Sequence, residues 1–405
     1  MTITLQTRET NRLNIILSIV ICLALGALSV FGVAQGMEEH ARKVQAAQGV
    51  ETATPSSLAA ADSLASSTQT DTTQASYIKW VEFNAPYAAL SDTLALDMKT
   101  HETGPHVSWI DSLAWLACKN GGNWKGYKST QLQKLKDALA EGKTVDELMA
   151  DNKYYAYYKR AYTAVLGGMV GEYEKEAPDK EHEGQKIIVK KYGLKAYCPI
   201  AEGFGYSHYD DFGDSRSYGY RRRHLGNDLL GAIGTPIVAV EGGVVEAYGW
   251  NQYGGWRLGI RSFDGKRSYY YAHLRKGHPY QTGIKLGSKV KAGQVIGYLG
   301  STGYSTKEDN NGMTQPHLHI GLQLIFDESQ KEGINQIWLN LYPLIELLNR
   351  NKATVVRDEE SKEYFRKYDI FDPAYPKELQ EKPKKTAPPV TTTQAQTTQQ
   401  ASAVQ

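Results

Sequence analysis

The strongest constraint on the fold lies between about residues 185 and 330, where apolar and polar residues alternate between glycine-containing turns. Residues 256–274, WRLGIRSFDGKRSYYYAHL, predict a hairpin that turns at Asp264-Gly265, because Asp-Gly between alternating strands is the strongest short-range hairpin signal. Residues 235–250, 288–303 and 316–326 predict further short strands. We therefore expect an antiparallel β domain over residues 185–352, closed by a helix that Pro343 interrupts.

The chain has 405 residues, enough for two or three domains. Two apolar stripes recur at helical spacing: Leu132, Leu135 and Leu139, then Tyr155, Tyr158, Tyr162 and Val165. They predict a helical domain over residues 77–180, with the tyrosines packed in its core rather than exposed for sugar binding. No catalytic motif occurs there, and a regulatory protein partner is a candidate ligand. Residues 353–381 predict a polar helical extension.

Residues 15–34 form an uncharged apolar run of 20 residues, long enough to cross a bilayer core of about 30 Å as a helix. We predict a single-pass membrane anchor preceded by a short cytoplasmic segment, residues 1–14. The alternative is a cleaved signal peptide, with Gly32 and Ala34 before the cut. Residues 35–76 predict a juxtamembrane segment and disordered spacer, and residues 382–405 a disordered tail.

The predicted fold class is therefore α+β multidomain, with an N-terminal transmembrane helix, a helical middle domain and an antiparallel β-sheet domain. The net charge of +2 comes without a basic stripe, so no nucleic-acid partner is expected. Three cysteines are present and none forms a C-x-x-C motif, so cysteine-based zinc ligation is not supported. Cys118 and Cys198 either pair or remain free thiols.

The run QPHLHIGLQ, residues 315–323, places His317 and His319 on one face of a predicted strand, because side chains alternate along a strand. Two satisfied core histidines are the alternative. Upstream, His224 and Asp228 are four residues apart, which puts both on one side of a strand or a helix. Together with one histidine of the H-x-H pair they make a three-ligand set, the stoichiometry of catalytic zinc with an open fourth position.

His273 lies in RSYYYAHLRKG, where strand alternation predicts that it shares a face with Tyr269 and Tyr271. Alone it would be a packed strand residue. Beside a metal, an imidazole that is not a ligand can take a proton from water or stabilise charge on a tetrahedral intermediate. The helix-borne motif H-E-x-x-H is absent, so no glutamate base is indicated.

Three ordered motifs resemble the lysostaphin-type (M23) zinc endopeptidases: His224-x-Gly226-x-Asp228, residues 271–274 (YAHL), and His317-Leu318-His319. The glycine-rich stretches 234–245 and 287–304 are also similar to that family, and the resemblance covers about residues 195–327. It implies that one zinc ion is bound by His224, Asp228 and His319. It further implies that His273 and His317 are the catalytic residues that do not bind the metal.

The resemblance implies a zinc metalloendopeptidase that hydrolyses peptidoglycan stem peptides or cross-bridges through a zinc-activated water. The enzyme would be anchored in a bacterial cell membrane through residues 15–34, with the catalytic domain outside the cytoplasm, or secreted after signal-peptide cleavage. The alternative function is a catalytically silent, membrane-anchored scaffold that binds cell wall or regulates another hydrolase. Two histidines that are not ligands argue against a scaffold, which has no use for them.

Four residues are candidates for substrate contacts: Asn251, Tyr253, Trp256 and His208. The first three lie in GWNQYGGW, where packing at a hairpin is the alternative. His208 lies in the lead-in, residues 203–223, which is rich in tyrosine and charge and departs from the family pattern; a solvated loop residue is its alternative. Residues 221–223 are three arginines, which either attract acidic wall polymers or form a solvated surface.

Overall fold

The computed structural model describes residues 77–382. The predicted anchor at 15–34, its flanking segments 1–14 and 35–76, and the tail beyond residue 382 lie outside the described residues. Among residues 77–382, no helix is both long and apolar enough to cross a membrane.

Five helices occupy the first third of the described chain, in agreement with the predicted helical region. They are α1 (Tyr87–Thr103), α2 (Trp109–Asn120), α3 (Gln133–Ala140), α4 (Val145–Met149) and α5 (Tyr155–Leu166). Ser108 caps α2 by accepting a hydrogen bond from the Asp111 amide, and Thr144 caps α4 in a capping box with Glu147. The tyrosine stripe is buried in α5, so these side chains pack in the core as expected.

The prediction that this region stays helical to residue 180 is wrong, because α5 ends at Leu166. A hairpin follows, made of β1 (Val170–Pro178) and β2 (Lys186–Leu194), paired over their whole lengths. Gly167 and Gly168 separate helix from hairpin. At Gly168 a Cβ would lie 2.3 Å from Glu241 Oε1 and 2.6 Å from Arg267 Nη2, so only glycine fits the close approach to the sheet.

After the β1–β2 hairpin the chain forms an antiparallel sheet, as predicted, and this sheet has eight strands. Its strand order is β11-β8-β9-β10-β13-β6-β3, with β14 also paired to β13. The strands from β3 to β14 are β3 (Tyr206–His208), β4 (Ser215–Arg216), β5 (Arg222–Arg223), β6 (Asn227–Gly231), β7 (Pro236–Val238), β8 (Gly243–Asn251), β9 (Gly255–Ser262), β10 (Arg267–Ala272), β11 (Lys289–Val290), β12 (Val295–Tyr298), β13 (His317–Leu324) and β14 (Ile337–Leu339).

The predicted hairpin at Asp264-Gly265 is confirmed, since it joins β9 to β10. Gly265 has a φ of 74°, a left-handed conformation that glycine adopts without steric cost. Outside the sheet, β7 pairs with β12, and β4 pairs with β5 in a short hairpin of two residues a strand. That short hairpin belongs to the lead-in and lies next to the candidate site.

Residues 335–350 differ from the predicted interrupted helix. They contain β14 and then α6 (Tyr342–Leu348), with Pro343 in the first turn of α6. Proline has no amide hydrogen to donate, and the first turn of a helix leaves its amides without intrahelical partners. Pro343 therefore fits in the first turn of α6 and does not break the helix.

The polar helical extension predicted for residues 353–381 is also wrong. That segment contains β15 (Val355–Arg357), β16 (Tyr364–Arg366), β17 (Ile370–Phe371) and a 3-10 turn at Lys377–Leu379. Each strand carries β-branched or aromatic residues, which favour strands. Ile370 and Phe371 are buried, and β17 pairs with β1.

The helical region and the sheet share one hydrophobic core. A single cluster of buried residues includes Leu90 and Trp109 of the helices as well as Tyr269 and Ile320 of the sheet. Arg267 links the two parts directly, because its Nη1 donates a hydrogen bond of 2.8 Å to the Ala164 carbonyl of α5. Cys118 and Cys198 are free thiols.

Candidate metal centre

Two neighbouring strands bring the predicted ligands together. In β13, Leu318, Ile320 and Leu322 are fully buried on the core face, so the alternate residues His317 and His319 lie on the other face. His319 is directly opposite Asp228 of β6. Because opposed residues of an antiparallel pair project to the same face, this register places an imidazole against a carboxylate.

Three donor atoms converge at this point. His224 Nε2 lies 2.8 Å from His319 Nδ1 and 3.1 Å from Asp228 Oδ1, and His319 Nδ1 lies 3.2 Å from Asp228 Oδ1. A tetrahedral zinc ion with ligands at about 2.0–2.2 Å separates them by about 3.3 Å, so the set fits such an ion after a small expansion. Two imidazoles and one carboxylate form the donor set of catalytic zinc sites with an open position.

The charges at this site favour a cation between the three donors. Burial lowers the pKa of His224, but hydrogen bonds and charges of Asp211 and Asp228 outweigh burial and raise this pKa to about 9. Burial raises the pKa of the Asp228 carboxyl, but its contacts with His224 and His319 hold it well below its usual range. The carboxylate is therefore ionised at neutral pH, the form that binds a metal.

Asp211 and Arg216 form an outer layer around two of the ligands. His224 Nδ1 lies 3.0 Å from the Asp211 backbone oxygen, so a proton on Nδ1 leaves the Nε2 lone pair directed at the site. Arg216 Nη2 donates to Asp211 Oδ2 at 2.8 Å and to Asp228 Oδ2 at 3.0 Å. Because Arg216 occupies Oδ2 of Asp228, Oδ1 remains turned towards His224 and His319.

His273 and His317 lie beside this triad, with ring centroids 4.7 Å apart. His273 Nδ1 bonds the Thr302 backbone oxygen at 2.7 Å, and His317 Nδ1 bonds the Gln315 backbone oxygen at 2.8 Å. A carbonyl oxygen only accepts, so each Nδ1 carries a proton and each Nε2 keeps its lone pair when the ring is neutral. Burial, followed by the charges of His317 and His319, lowers the pKa of His273 well below its usual value.

The predicted face of His273 is wrong. Tyr269 and Tyr271 point into the core, whereas His273 lies on the cavity side with Tyr270 and Ala272. The reason is a break in alternation where β10 ends: His273 has a φ of 60°, a left-handed conformation that is uncommon for any residue with a side chain. Strained backbone of this kind costs about 1–3 kcal/mol and persists at functional sites when the surrounding structure fixes it.

A cavity of about 270 Å³ opens over these donors. The three predicted ligands and both further histidines line it, together with Tyr270 and Trp338 from the sheet and Arg216, Arg222 and Arg223 from the lead-in. No motif predicted Asp211 or Arg216. The only sequence signal for them was the unusual tyrosine and charge content of residues 203–223.

Of the four predicted substrate contacts, Tyr253 lines the cavity and the other three do not. Asn251 Oδ1 accepts hydrogen bonds from the Tyr253 and Gly254 amides and shapes the turn. Trp256 Nε1 donates to Asp309 Oδ1 at 2.8 Å. The His208 ring packs on Tyr342 with centroids 4.4 Å apart. Packing, the alternative stated for the hairpin residues, describes Asn251 and Trp256.

The model of Peptidase family M23 matches a segment that contains the three predicted ligands as well as His273 and His317. Residues 222–332 match peptidase family M23.

Relatives support the M23 family for this part of the chain. The L-Ala–D-Glu endopeptidase of Bacillus subtilis (strain 168) is 37% identical over 170 residues, which are 41% of this chain and 46% of that protein. Lysostaphin of Staphylococcus staphylolyticus is 42% identical over 98 residues, 24% of this chain and 18% of that protein. The chain thus spans less than half the length of these curated relatives.

Among solved structures, the catalytic domain of lysostaphin from Staphylococcus simulans is 33% identical to this chain. The match covers 35% of this chain and 92% of that chain, with a TM-score of 0.27.

Proposed function

We propose that this chain is a zinc-dependent endopeptidase that hydrolyses peptide bonds in peptidoglycan stem peptides or cross-bridges. The observation that carries the proposal is the convergence of three metal donors beside two imidazoles held by backbone carbonyls. The relatives support the substrate class, since they include an L-Ala–D-Glu endopeptidase and a peptidoglycan DD-endopeptidase. Their names differ in the bond cut, so the bond stays open.

The metal would be held by His224 Nε2, His319 Nδ1 and Asp228 Oδ1. When bound there, zinc supplies Lewis acidity, which polarises a carbonyl group and makes water more acidic. Arg216 keeps Asp228 oriented through Oδ2, and Asp211 fixes the tautomer of His224. Outer contacts of this kind usually change metal affinity or activity by about 10–100-fold when removed.

His317 and His273 would handle the protons of the reaction. Each has its Nδ1 proton committed to a backbone carbonyl, so each Nε2 is available to accept a proton from the attacking water. The same Nε2 can return that proton to the amine leaving group. General acid–base catalysis of this kind contributes about 10²–10⁴-fold. The tight backbone contacts keep both rings in place without a carboxylate partner.

The membrane anchor at residues 15–34, a spacer at 35–76 and an extracytoplasmic catalytic domain complete the proposal. It is supported by the uncharged apolar run and by a substrate that lies outside the cytoplasm. A regulatory partner bound through the helical region remains a prediction. The scaffold alternative has less support, because a scaffold needs neither two imidazoles beside the metal donors nor the strained backbone of His273.

The test is peptide release from purified peptidoglycan by the full-length protein, with zinc content measured on the same sample. We expect about one zinc per chain, loss of release after chelation, and recovery when zinc is added back. The control variant is His182→Ala, at an exposed histidine that bonds Asp179 in the β1–β2 turn. It should bind zinc and release peptide as the unmodified protein does. Bound zinc without any peptide release would contradict the enzyme and favour the scaffold.

A further inference from the structure

Three arginines line the cavity over the metal donors, against a single carboxylate, that of Asp228. Arg216 and Arg222 are opposite each other in the β4–β5 hairpin, so both side chains project towards the same face. Arg216 is neutralised by Asp211 and Asp228. Arg223 is exposed at the mouth of the cavity, where an ion pair contributes little. Arg222 is the half-buried arginine of the three that forms no ion pair within residues 77–382.

Arg222 is held in an aromatic cage. Its guanidinium carbon lies 4.9 Å from the ring centroid of Tyr253, 5.3 Å from that of Tyr304 and 5.7 Å from that of Tyr220. Tyr218 stacks on Tyr304, with centroids 4.6 Å apart and planes 7° apart. Cation–π contacts fix the plane of the guanidinium, so its orientation does not depend on a ligand.

The hydrogen bonds of Arg222 leave part of the guanidinium free. Nη1 donates to the Tyr218 backbone oxygen at 2.8 Å, and Nη2 donates to the Tyr304 hydroxyl at 3.2 Å. A guanidinium has five N–H donors, so three remain. Within residues 77–382, no carboxylate forms an ion pair with Arg222. A half-buried cation with free donors and no counter-ion is a site for an anion.

The position of Arg222 relates that anion to the reacting bond. The Tyr304 ring contacts the guanidinium on one side, and its centroid lies 6.0 Å from the ring centroid of His273. Residues of an extended peptide advance by about 3.3–3.6 Å each. Through Tyr304, the Arg222 guanidinium carbon and the His273 ring are at most about 11 Å apart, so an anion on Arg222 lies within about three residues of a scissile bond held at His273. Peptides carry carboxylates, which match the guanidinium fork.

We propose that Arg222 binds a free carboxylate of the substrate, on a residue within about three positions of the bond that is cut. The protein then prefers acidic peptides over their amides. This inference rests on the proposed function, because it places the carboxylate relative to a peptide at the metal centre. It adds a specificity residue, Arg222, which contacts the substrate away from the reacting atoms.

The test uses two peptides that differ in one group. The first is the stem peptide L-Ala–D-Glu–L-Lys–D-Ala–D-Ala, joined through the side-chain carboxyl of D-Glu so that its α-carboxylate is free. The second carries D-isoglutamine, in which that carboxylate is an amide. Full-length zinc-loaded protein should cut the acid peptide with a kcat/KM about 10–100-fold higher, the range of a hydrogen bond to a charged group.

Three variants assign that preference to Arg222. Arg222→Gln should reduce the ratio of the two kcat/KM values to about one, mainly through the acid peptide. Arg222→Lys keeps the charge without the fork and should give an intermediate ratio. Arg221→Gln is the matched control, because Arg221 is exposed, bonds Ser215 and does not line the cavity. Its ratio should equal that of the unmodified protein.

A second measurement does not need turnover. Calorimetric titration of His317→Ala protein with each peptide should show the same preference for the acid, lost in His317→Ala/Arg222→Gln. Equal cutting and equal binding of the two peptides, or no binding of either, would overturn the proposal for Arg222. Peptidoglycan hydrolysis by the unmodified zinc-loaded protein decides the proposed function separately, since it does not compare acid with amide.

Discussion

Two parts of the site are built in different ways. The floor consists of β6 and β13 of the eight-stranded sheet, which carry Asp228 and His319, and of His224, which precedes β6; these three residues are the predicted ligands. The rim consists of the β4–β5 hairpin, residues 215–223, with Tyr253 and Tyr304. The floor is fixed by strand register and by backbone contacts to its imidazoles, whereas the rim has strands of two residues and is held by ring stacking. If the proposed function is right, floor variants should remove activity and rim variants should change substrate binding or preference.

The largest effect is expected at Asp228. Asp228→Asn keeps the size of the side chain but removes the ionised oxygen that meets both imidazoles. We expect zinc content to fall from about one per chain to near zero and peptide release to stop. Zinc analysis after dialysis, together with release from peptidoglycan, measures both. Asp214→Asn in the exposed lead-in is the control, and an Asp228→Asn protein that retained zinc would show that the floor is misassigned.

The next effect separates the ligands from the catalytic pair. His317→Ala leaves the three donors intact, so zinc content should be unchanged, while peptide release should fall by about 10²–10⁴-fold because one proton acceptor is lost. Zinc analysis and initial rates on one preparation distinguish the two properties. Should His317→Ala lose zinc as Asp228→Asn does, His317 would be a ligand and the division within the floor would be wrong.

A smaller effect on stability is expected from His208, which lies in β3, paired with β6 beneath the site. Burial lowers the pKa of His208 to about 4, against opposing charges of Asp211 and Asp210. The unfolded chain binds this proton below about pH 6.5 and the folded chain does not. The free energy of unfolding therefore has its full value, as far as His208 is concerned, above about pH 6.5. It decreases as the pH falls from about 6.5 towards 4.

Replacing His208 by phenylalanine removes that loss. Between pH 7.5 and pH 5, the free energy of unfolding of the unmodified protein should fall by roughly 1–2 kcal/mol more than that of His208→Phe, after allowance for solvent screening. Urea unfolding with a chelator present measures this difference without metal dissociation. An identical pH dependence in both proteins would mean that His208 has the same pKa in the folded and the unfolded chain, and it would contradict this prediction.

The smallest effect is expected at Tyr218 of the rim. Tyr218→Ala removes the ring stacked on Tyr304, an interaction of about 0.5–1.5 kcal/mol. We expect unchanged zinc content, unchanged kcat, and a KM raised by roughly two- to tenfold. Tyr209→Ala is the matched control, because Tyr209 is an exposed tyrosine of the same lead-in and does not line the cavity. A large fall in kcat for Tyr218→Ala would give the rim a part in the chemistry.

Much of the floor could be predicted because each of its segments carries a local strand or motif pattern, although Asp228 and His319 are 91 positions apart in the sequence. Period-2 alternation placed His317 and His319 on one face, and the Asp264-Gly265 turn predicted a confirmed hairpin. The separate roles of His317 and His319 came from the family resemblance and not from alternation. The face of His273 could not be predicted, because its left-handed backbone depends on contacts with Thr302 and Gly254 that are distant in the sequence.

The rim could not be predicted because it joins distant segments that carry neither a motif nor a clear period. Arg222 meets Tyr304 across 82 positions, and neither residue lies in an element with a clear period. The strands of residues 355–371 were missed for a similar reason: they have two or three residues each, too few to show a period, and β17 is stabilised by pairing with β1. Tertiary contacts, rather than local propensity, form these elements.

The most direct test of the central claim is anomalous diffraction at the zinc edge from crystals of the zinc-loaded protein. The account predicts one peak within about 2.0–2.2 Å of His224 Nε2, His319 Nδ1 and an Asp228 oxygen, with the rings of His273 and His317 nearby but not bonded. A peak bonded to His273 or His317 in place of one of these ligands, or a peak elsewhere in the protein, would contradict it.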